Sequence, residues 1–402
     1  MARIVYAWEL GGGFGHIGAF LPLAARLRDA GHDVVFVTRD LLNAETELAA
    51  RGFRYLQAPL FQGRLLGLPD PPASLAEILL RFGYFRAEHL AGLVRAWRDL
   101  FELLRPGLVV GDFSPTALLA ARIAGIPAVT FGTGFCRPPP LHPLPNLRRW
   151  QPVDPRRLLG ADRHILDIAG TVLRQFGAAP IAKVADLFAA DEDFLCTWAE
   201  LDHYPERPGA RYWGAIHDAG QGVEMAWRGD RRFRVFCYLK PGYPNFEPAF
   251  ESFLGLPDHE FVVFAPGLAP NLAERHSAAH VTVTTRPVRL AGLTGSCHAA
   301  VCHAGHGTVA GLLQAGIPLL LLPIHLEQHL TAWRGMELGA GLAVGDTEER
   351  PDYAGLLERL LREPRFATAA RRFAKAHRAD SQDKLQNAIV GRLEALTRLT
   401  GC

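Results

Sequence analysis

The segment Ala299-Ala-Val-Cys-His303-Ala-Gly305-His-Gly307-Thr308 joins a short apolar run to a helical stretch through a turn with two glycines. The apolar run is too short for a helix and is typical of a buried strand. A strand that is followed by such a turn and a helix is the repeating unit of a parallel sheet. The segment therefore predicts a doubly wound α/β domain around it.

The same alternation of strands and helices extends over most of the chain. The predicted strands are 4–8, 33–38, 108–111 and 128–131 in the first half, and 234–239, 260–264, 281–283, 299–302, 318–322 and 341–344 in the second. Apolar strands between helices indicate parallel sheets that are buried on both faces. We therefore expect two Rossmann-like domains, residues 1–216 and 217–402. A last helix near 382–399 could pack back on the first of them.

Two stretches of the first domain depart from this alternation. Residues 61–105 are expected to be helical and are rich in large apolar side chains, whereas residues 136–160 contain many prolines and are expected to form a long surface loop. Long loops in compact domains are often binding elements. Both stretches favour an apolar ligand on the first domain, although large apolar residues are more often part of a core.

The composition fits a globular enzyme and excludes several other classes. The chain has 402 residues, a net charge of +2 and six scattered cysteines without metal-ligand spacing. The near-zero charge gives no reason to expect a nucleic-acid partner. No apolar run approaches the roughly 20 residues of a membrane-spanning helix, and no signal peptide is recognisable. We expect a cytoplasmic monomer or homodimer, with peripheral membrane contact left open.

The first candidate site is the turn 11–18, GGGFGHIG, between a strand and a helix. Such a turn gathers backbone N–H groups at the positive end of the helix dipole. Gly13, Gly15 and Gly18 also form the GxGxxG pattern of dinucleotide-binding proteins. That pattern needs an acidic residue at the end of the second strand, and Asp40 comes too late. An NAD- or FAD-dependent oxidoreductase is therefore only a lesser alternative.

His16 and Asp112 each follow a strand at its carboxyl end, where open α/β sheets place their active sites. Because an imidazole ordinarily titrates near neutral pH, His16 can act as a general base, although a histidine that caps the helix is the alternative. The first and fourth strands of a doubly wound sheet are neighbours, so Asp112 can orient this imidazole. Equally, Asp112 could cap the helix that follows it.

The segment from His303 onward has a more specific pattern. It continues through Gly316-Ile-Pro318 to Glu327-Gln328, 24 residues beyond His303. This resembles the nucleotide-sugar signature of family 1 glycosyltransferases, whose fold is called GT-B. The turn that contains His16 also resembles the catalytic loop of that family, and Asp112 falls where the family has its orienting aspartate.

The resemblance implies an inverting, metal-independent transferase with two domains that face a central cleft. A sugar would move from a UDP- or dTDP-sugar, the only co-substrate expected, to a hydroxyl of an apolar small molecule or lipid. Asp112 would orient His16, which would take the acceptor's proton. The alternatives are a nucleotide-sugar hydrolase, in which His16 activates water, and a non-catalytic GT-B relative that acts as a sensor or partner subunit.

The resemblance also implies roles for residues of the second domain. His303 and Thr308 would contact the phosphates, and backbone N–H groups near Gly305 and Gly307 would bind them as well. Glu327 and Gln328 would bind the sugar hydroxyls. The plainer alternatives are a buried histidine that is bonded to the backbone at His303, and an exposed loop pair at Glu327-Gln328.

A zinc site is a weak alternative in the same region. His325 and His329 have a spacing that can bind zinc on a helix. No third ligand is apparent, however, and Pro323 indicates a loop there. We therefore expect no metal.

Three positions depart from the family pattern. Gly311 stands where the family has a glutamate for the ribose, so either Gln314 replaces it, or ribose recognition is weak, or the donor is a deoxyribose nucleotide. The tryptophan that plant members stack on the base is missing, which leaves backbone groups near Val288 for that task. Lys240 follows the first strand of the second domain, where the family has Gly-Ser; it would either approach the phosphates or be a surface lysine.

Overall fold

The computed structural model describes the chain except for residues 14, 218–221, 230, 291, 293–294, 346–349 and 400–402. The strands are β1 (Arg3–Trp8), β2 (Asp33–Thr38), β3 (Arg54–Gln57), β4 (Leu108–Asp112), β5 (Ala128–Gly132), β6 (Glu192–Leu195), β7 (Phe233–Tyr238), β8 (His259–Phe264), β9 (Val281–Thr284), β10 (Ala299–Cys302), β11 (Leu319–Leu321) and β12 (Gly341–Ala343).

The α-helices of the described residues lie between and after these strands. They are α1 (Gly15–Asp29), α2 (Leu41–Glu47), α3 (Leu75–Leu79), α4 (Ala87–Leu104), α5 (Pro115–Ala124), α6 (Pro155–Gln175), α7 (Phe246–Leu254), α8 (Pro270–Arg275), α9 (His306–Gln314), α10 (Leu326–Glu337), α11 (Tyr353–Arg362), α12 (Pro364–Ala376) and α13 (Gln382–Leu399). None of them is both long and apolar enough to cross a lipid bilayer.

The chain forms two compact units. The first is Met1–Gly214 together with the C-terminal segment from Gln382, and the second is Ala215–Ser381. Within the first unit, α13 packs on α1, and the Arg26 guanidinium donates to the side-chain oxygen of Asn387 at 2.6 Å. The chain therefore leaves the first unit once and returns to it for its last helix.

The first unit is built on a fully parallel sheet of order β3-β2-β1-β4-β5-β6. The prediction that the first and fourth strands are neighbours is confirmed, and Trp8 at the end of β1 pairs with Asp112 at the end of β4. The strand order reverses at this pair, and open sheets bind ligands beside such a reversal. The two strands that sequence patterns missed, β3 and β6, are the edge strands, which carry charged residues in place of an apolar run.

The second unit contains the six parallel strands that the sequence predicts, in the order β12-β11-β10-β7-β8-β9. The strand order reverses between β7 and β10, where Tyr238 pairs with Cys302. Fully buried side chains such as Phe250, Phe261 and Leu320 form the core around this sheet. The doubly wound fold class is thus confirmed in both units.

The irregular stretches of the first unit differ in part from the prediction. No helix begins before Leu75 in the stretch that was expected to be helical from residue 61. The proline-rich loop ends early, because Pro155 opens α6 and the side chain of Asp154 caps it. Proline is well accepted at the first helical position. The loop is also partly internal, since Leu144 and Leu147 are buried.

Candidate active site

The carboxyl ends of β1 and β4 bring His16 and Asp112 together. His16 is the second residue of α1, and its Nδ1 lies 3.0 Å from Oδ2 of Asp112. Because a carboxylate only accepts hydrogen bonds, Nδ1 carries the ring proton and Nε2 keeps its lone pair. The side chain of His16 is 10% exposed and that of Asp112 only 3%. This arrangement is suited to a base at Nε2, because the Asp112 carboxylate at Nδ1 stabilises the imidazolium that forms.

Tyr6 completes the surroundings of the Asp112 carboxylate. Its hydroxyl lies 2.6 Å from Oδ2 of Asp112 and 2.9 Å from the backbone oxygen of His16. Burial, and then the nearby charge of Asp112, raise the pKa of Tyr6 well above its ordinary value, so the phenol stays neutral and donates. Oδ1 of Asp112 has no hydrogen-bond partner among the described residues. Sequence patterns missed Tyr6 because it occupies an ordinary position in a buried strand.

Trp8 and Gly11 fix the position of the His16 ring. The rings of Trp8 and His16 stack with their centroids 4.9 Å apart. Gly11 has a φ of 81°, and a β-carbon added there would lie 2.7 Å from Nε2 of His16. Both the backbone conformation and the space therefore require glycine at this position. The glycine-rich turn makes room for an imidazole.

Backbone strain accompanies each candidate site. Phe113 follows Asp112 directly with a φ of 45°, and Ala304 follows His303 directly with a φ of 54°. Positive φ is uncommon for residues other than glycine and persists only where the surrounding structure enforces it. Such residues cluster at functional sites, so both positions agree with functional use of the adjacent side chain.

One group of potential metal ligands occurs among the residues that the structure describes. The ligand atoms of His16, Asp112 and Cys136 lie within 4.8 Å of one another. Nitrogen, carboxylate and thiolate ligands suit zinc. The imidazole and the carboxylate already contact each other directly.

In the second unit, His303 lies where β10 ends, and it is buried. Its Nδ1 donates to the backbone oxygen of Leu322 at 2.9 Å, and its Nε2 accepts from the backbone N–H of Lys240 at 2.8 Å. Burial lowers the pKa of His303 to about 4, so the ring is neutral at physiological pH. Both ring nitrogens are hydrogen-bonded to the backbone, so His303 offers no nitrogen to the phosphates. The resemblance implies a phosphate contact for His303, and the geometry instead gives it a role in holding the site together.

The amino end of α9 comes directly after His303. Gly305 is its N-cap residue and has no side chain with which to form a capping hydrogen bond. The first-turn N–H groups of a helix attract anions, and the helix dipole adds to that attraction. Gly307 and Thr308 lie in this turn and are partly exposed. The helix end is therefore a candidate for contact with an anion.

Lys240 follows β7 at the point where the strand order of the second sheet reverses. Its backbone N–H donates to His303, and its ammonium lies 5.9 Å from the ring centre of Tyr238. Burial lowers the pKa of Lys240, so the alternative of an ordinary surface lysine does not describe it. A half-buried cation at this edge of the sheet is well suited to an anionic ligand.

Glu327 and Gln328 lie in the first turn of α10, so the expectation of a loop there is wrong. Pro323 precedes the helix and does not interrupt it. The side-chain oxygen of Gln328 accepts from the backbone N–H of Ile324 at 2.8 Å, which fixes the turn that leads into the helix. Glu327 is partly exposed beside it.

Gly311 faces a histidine that sequence patterns missed. A β-carbon added to Gly311 would lie 3.3 Å from Nδ1 of His217. Nε2 of His217 lies 2.7 Å from the side-chain oxygen of Gln314, whose amide nitrogen donates to the backbone oxygens of His377 and Asp380. Gln314 therefore holds the end of α9 within the protein, and His217 occupies the space in front of Gly311.

Val288 lies in a backbone bridge with Val223. The N–H of Val223 donates to the oxygen of Pro287 at 2.8 Å, and the N–H of Arg289 donates to the oxygen of Val223 at 3.0 Å. In a parallel bridge of this kind, the N–H and C=O of the central residue point to the opposite side. The backbone of Val288 is thus directed away from Val223.

Comparisons with known proteins agree on one group of relatives. Residues 255–396 match the family described as Erythromycin biosynthesis protein CIII-like, C-terminal domain. The L-demethylnoviosyl transferase of Streptomyces niveus is 28% identical to this chain over 350 residues, which cover 84% of each protein.

Solved structures of similar architecture cover almost the whole chain. Two structures of the spinosyn rhamnosyltransferase SpnG match this chain, one complexed with the spinosyn aglycone and one with thymidine diphosphate, with TM-scores of 0.67 and 0.66. Both are 18% identical to this chain and cover 98% of it and 100% of their own length. The glycosyltransferase SsfS6 of Streptomyces sp. SF2575, complexed with thymidine diphosphate, has a TM-score of 0.63 at 19% identity with the same coverage. At these identities, the likeness establishes a common fold.

Proposed function

We propose that the chain, which has the GT-B fold, is a family 1 glycosyltransferase and that it transfers a sugar with inversion from a dTDP-sugar to a hydroxyl of an apolar natural-product aglycone. The observation that carries the proposal is the bond between Nδ1 of His16 and Oδ2 of Asp112. This bond leaves Nε2 of His16 as a base at the edge of the sheet where such folds bind their ligands.

The reaction begins at the acceptor hydroxyl. Nε2 of His16 takes its proton while the oxygen attacks the anomeric carbon of the donor. The bond from that carbon to the diphosphate oxygen breaks on the opposite face, and the nucleoside diphosphate leaves with the electron pair. Asp112 stabilises the imidazolium that forms. General-base catalysis of this kind contributes roughly 10²- to 10⁴-fold in rate.

The leaving diphosphate gains negative charge, and we propose that groups of the second unit stabilise it. We assign the first-turn N–H groups of α9 at Gly305, Gly307 and Thr308 to the phosphates, together with the Lys240 ammonium. His303 is a positioning residue, because its two backbone bonds join the turn after β7 to the turn after β11. Glu327 remains the proposed partner of the sugar hydroxyls, and Gln328 supports the helix turn that presents it.

Two observations support thymidine diphosphate as the nucleotide. SpnG and SsfS6 were both solved with it. This chain also has Gly311, with His217 in front of it, where a carboxylate would otherwise accept from both hydroxyls of a ribose. Because 2′-deoxyribose has only one of these hydroxyls, the loss of that carboxylate costs a dTDP-sugar less than a UDP-sugar. Backbone groups of Val288 are proposed to bind the base.

The test separates donor binding from proton transfer. Thermal shifts with UDP, dTDP and GDP identify the nucleotide, since a ligand that binds the folded state raises the melting temperature. We expect His16→Ala to lower transfer by at least about 10²-fold while the dissociation constant for dTDP, measured by calorimetry, stays unchanged. Normal turnover in this variant would overturn the proposal, and so would donor consumption that proceeds equally well without an acceptor.

A further inference from the structure

His16, Asp112 and Cys136 bring three metal-binding side chains together in the first unit. They come from the start of α1, the end of β4 and the short turn Gly134–Cys136 that follows β5. Their ligand atoms all lie within 4.8 Å of one another, and none of these three side chains is exposed. Imidazole, carboxylate and thiolate are the ligand types that zinc takes in proteins, so this group has the composition of a zinc site.

Gly132 leaves room between the Asp112 carboxylate and Cys136. A β-carbon added to this glycine would lie 3.0 Å from Oδ1 of Asp112 and 3.7 Å from Cβ of Cys136. Oδ1 is buried, and no hydrogen-bond partner contacts it among the described residues. A buried carboxylate oxygen without a partner is costly in free energy, and binding to a cation removes that cost. Oδ1 is therefore an available metal ligand on the side of Asp112 that faces Cys136.

The distances within this group suit zinc after small side-chain rotations. Zinc binds imidazole nitrogen and carboxylate oxygen at roughly 2.0–2.2 Å and thiolate sulfur at about 2.3 Å, in a tetrahedral arrangement. Its ligand atoms therefore lie roughly 3.3–3.8 Å apart. The separations here are at most 4.8 Å, so the group needs to contract by only about 1 Å. Three protein ligands would leave the fourth position of the tetrahedron to water.

We propose that this group binds Zn²⁺ and that the bound ion inhibits the transfer reaction. Nδ1 is the ring nitrogen of His16 that faces Asp112, so the ion takes Nδ1 together with Oδ1 of Asp112 and Sγ of Cys136. Tyr6 keeps its bond to the other carboxylate oxygen, Oδ2. The inference rests on the proposed function, because it describes regulation of the same base. Zinc acts here as an inhibitor, and the transfer itself uses no metal.

Zinc binding changes where the protons of the site lie. A metal ligand must be deprotonated at the coordinating atom, so the Cys136 thiol releases one proton to the solvent. The ring proton of His16 leaves Nδ1 and a proton occupies Nε2, so the ring stays neutral. Nε2 then donates and no longer accepts, which leaves the acceptor hydroxyl without a base. The bound ion therefore lowers kcat by removing general-base catalysis.

Calorimetry of the full chain with Zn²⁺ alone tests the site without any substrate. We expect one tightly bound ion per chain and the release of about one proton, measured by repeating the titration in buffers of different ionisation enthalpy. Co²⁺ bound at the same place should show the near-ultraviolet absorption of a cobalt–thiolate bond. Cys136→Ser should abolish this absorption and weaken Zn²⁺ at least about tenfold. Cys297→Ser, a change of a cysteine in the second unit, is the matched control and should bind like the wild type.

Steady-state kinetics test the effect on transfer. Activity is compared at equal concentrations of free Zn²⁺, because the diphosphate of the donor also binds divalent cations. Zinc that saturates the site should lower kcat of the wild type at least about tenfold, and a chelator should restore it. At the same free Zn²⁺, Cys136→Ser should keep most of its own zinc-free rate, and Cys297→Ser should be inhibited like the wild type.

Three results would overturn the inference. They are a wild type that binds no zinc, a Cys136→Ser variant that binds zinc or cobalt like the wild type, and a zinc-saturated wild type that keeps its full rate. Loss of zinc binding in His329→Gln, with unchanged binding in Cys136→Ser, would instead place the ion in the second unit beside His325. Cys136→Ala takes the place of Cys136→Ser should the serine variant fail to fold. A wild type that binds zinc through Cys136 but transfers no sugar in its absence would contradict the proposed function alone.

Discussion

The hydroxyl of Tyr6 lies 2.6 Å from Oδ2 of Asp112, the same oxygen that contacts the imidazole of His16. The two donors share one carboxylate oxygen, while Oδ1 is left without a partner among the described residues. The orientation of Asp112 toward His16 therefore depends on a phenol from the neighbouring strand. Tyr6 is a positioning residue in this arrangement, because it acts on the base only through the carboxylate.

Tyr6→Phe keeps the aromatic ring and removes only the donor. We expect kcat to fall about tenfold and stability to fall by about 1–3 kcal/mol, because a buried carboxylate oxygen loses a hydrogen bond. Steady-state kinetics should show an unchanged KM for the donor. Tyr353→Phe removes a comparable buried hydroxyl contact, with Tyr243 in the second unit, and should lower stability without lowering kcat. An equal loss of kcat in both variants would contradict the role of Tyr6.

Gly11→Ala places a β-carbon 2.7 Å from Nε2 of His16 and strains a backbone with a φ of 81°. The imidazole must move, and small displacements of a catalytic group can cost about 10²-fold in rate. We expect a loss of kcat of this order with unchanged affinity for dTDP. Gly12→Ala is the matched control, because an added β-carbon there meets no atom within 4 Å. Kinetics of the two variants should therefore differ by about 10²-fold, and similar rates would rule out this steric argument.

Lys240→Met should weaken dTDP about tenfold and leave thymidine binding unchanged, because the ammonium acts on the phosphates. Since burial lowers the pKa of Lys240, the cation is lost at a lower pH than for an exposed lysine. The affinity of the wild type for dTDP should therefore decline as the pH rises toward 10, and that of Lys240→Met should not. Lys375→Met, an exposed change in the same unit, should behave like the wild type. Equal loss of thymidine affinity would argue against a phosphate contact.

His303 links the stability of the second unit to pH. Its pKa is about 4 in the folded protein, against an ordinary value of 6.5. A depressed histidine pKa contributes stability that is present above pH 6.5 and is lost as the pH falls toward 4, with a total of about 3 kcal/mol. In urea unfolding, the free energy of unfolding should fall less between pH 7 and pH 5 for His303→Gln than for the wild type. His280→Gln serves as the control and should lose as much stability between pH 7 and pH 5 as the wild type. An equally large loss in His303→Gln would refute the assignment.

The sequence predicts the sheets well wherever strands are apolar, and it fails where they are not. All six strands of the second unit were predicted, because each has apolar or β-branched residues in a short run, although β9 is only partly buried. At the edges of the first sheet, β3 and β6 carry charged residues and give no such signal. Edge strands pair on one side only, so their composition is less constrained.

Some residues of the candidate sites could be predicted from the sequence, and others could not. His16 and Asp112 could be brought together from the sequence because both stand at the carboxyl ends of strands that a doubly wound sheet makes neighbours. Tyr6 and His217 could not be found, because their contacts depend on strand register and on a linker. The bonds of His303 reach residues 19 and 63 positions away, so no local pattern reports them.

The return of the chain to its first unit has a consequence for biosynthesis. Synthesis proceeds from the amino end at about 5–20 residues per second, and domains generally fold as units as they emerge. The surface of α1 that receives α13 stays uncovered until Gln382–Leu399 leaves the ribosome, by which time Ala215–Ser381 has already been released. The second unit can therefore finish folding first, and the half that carries His16 is completed last.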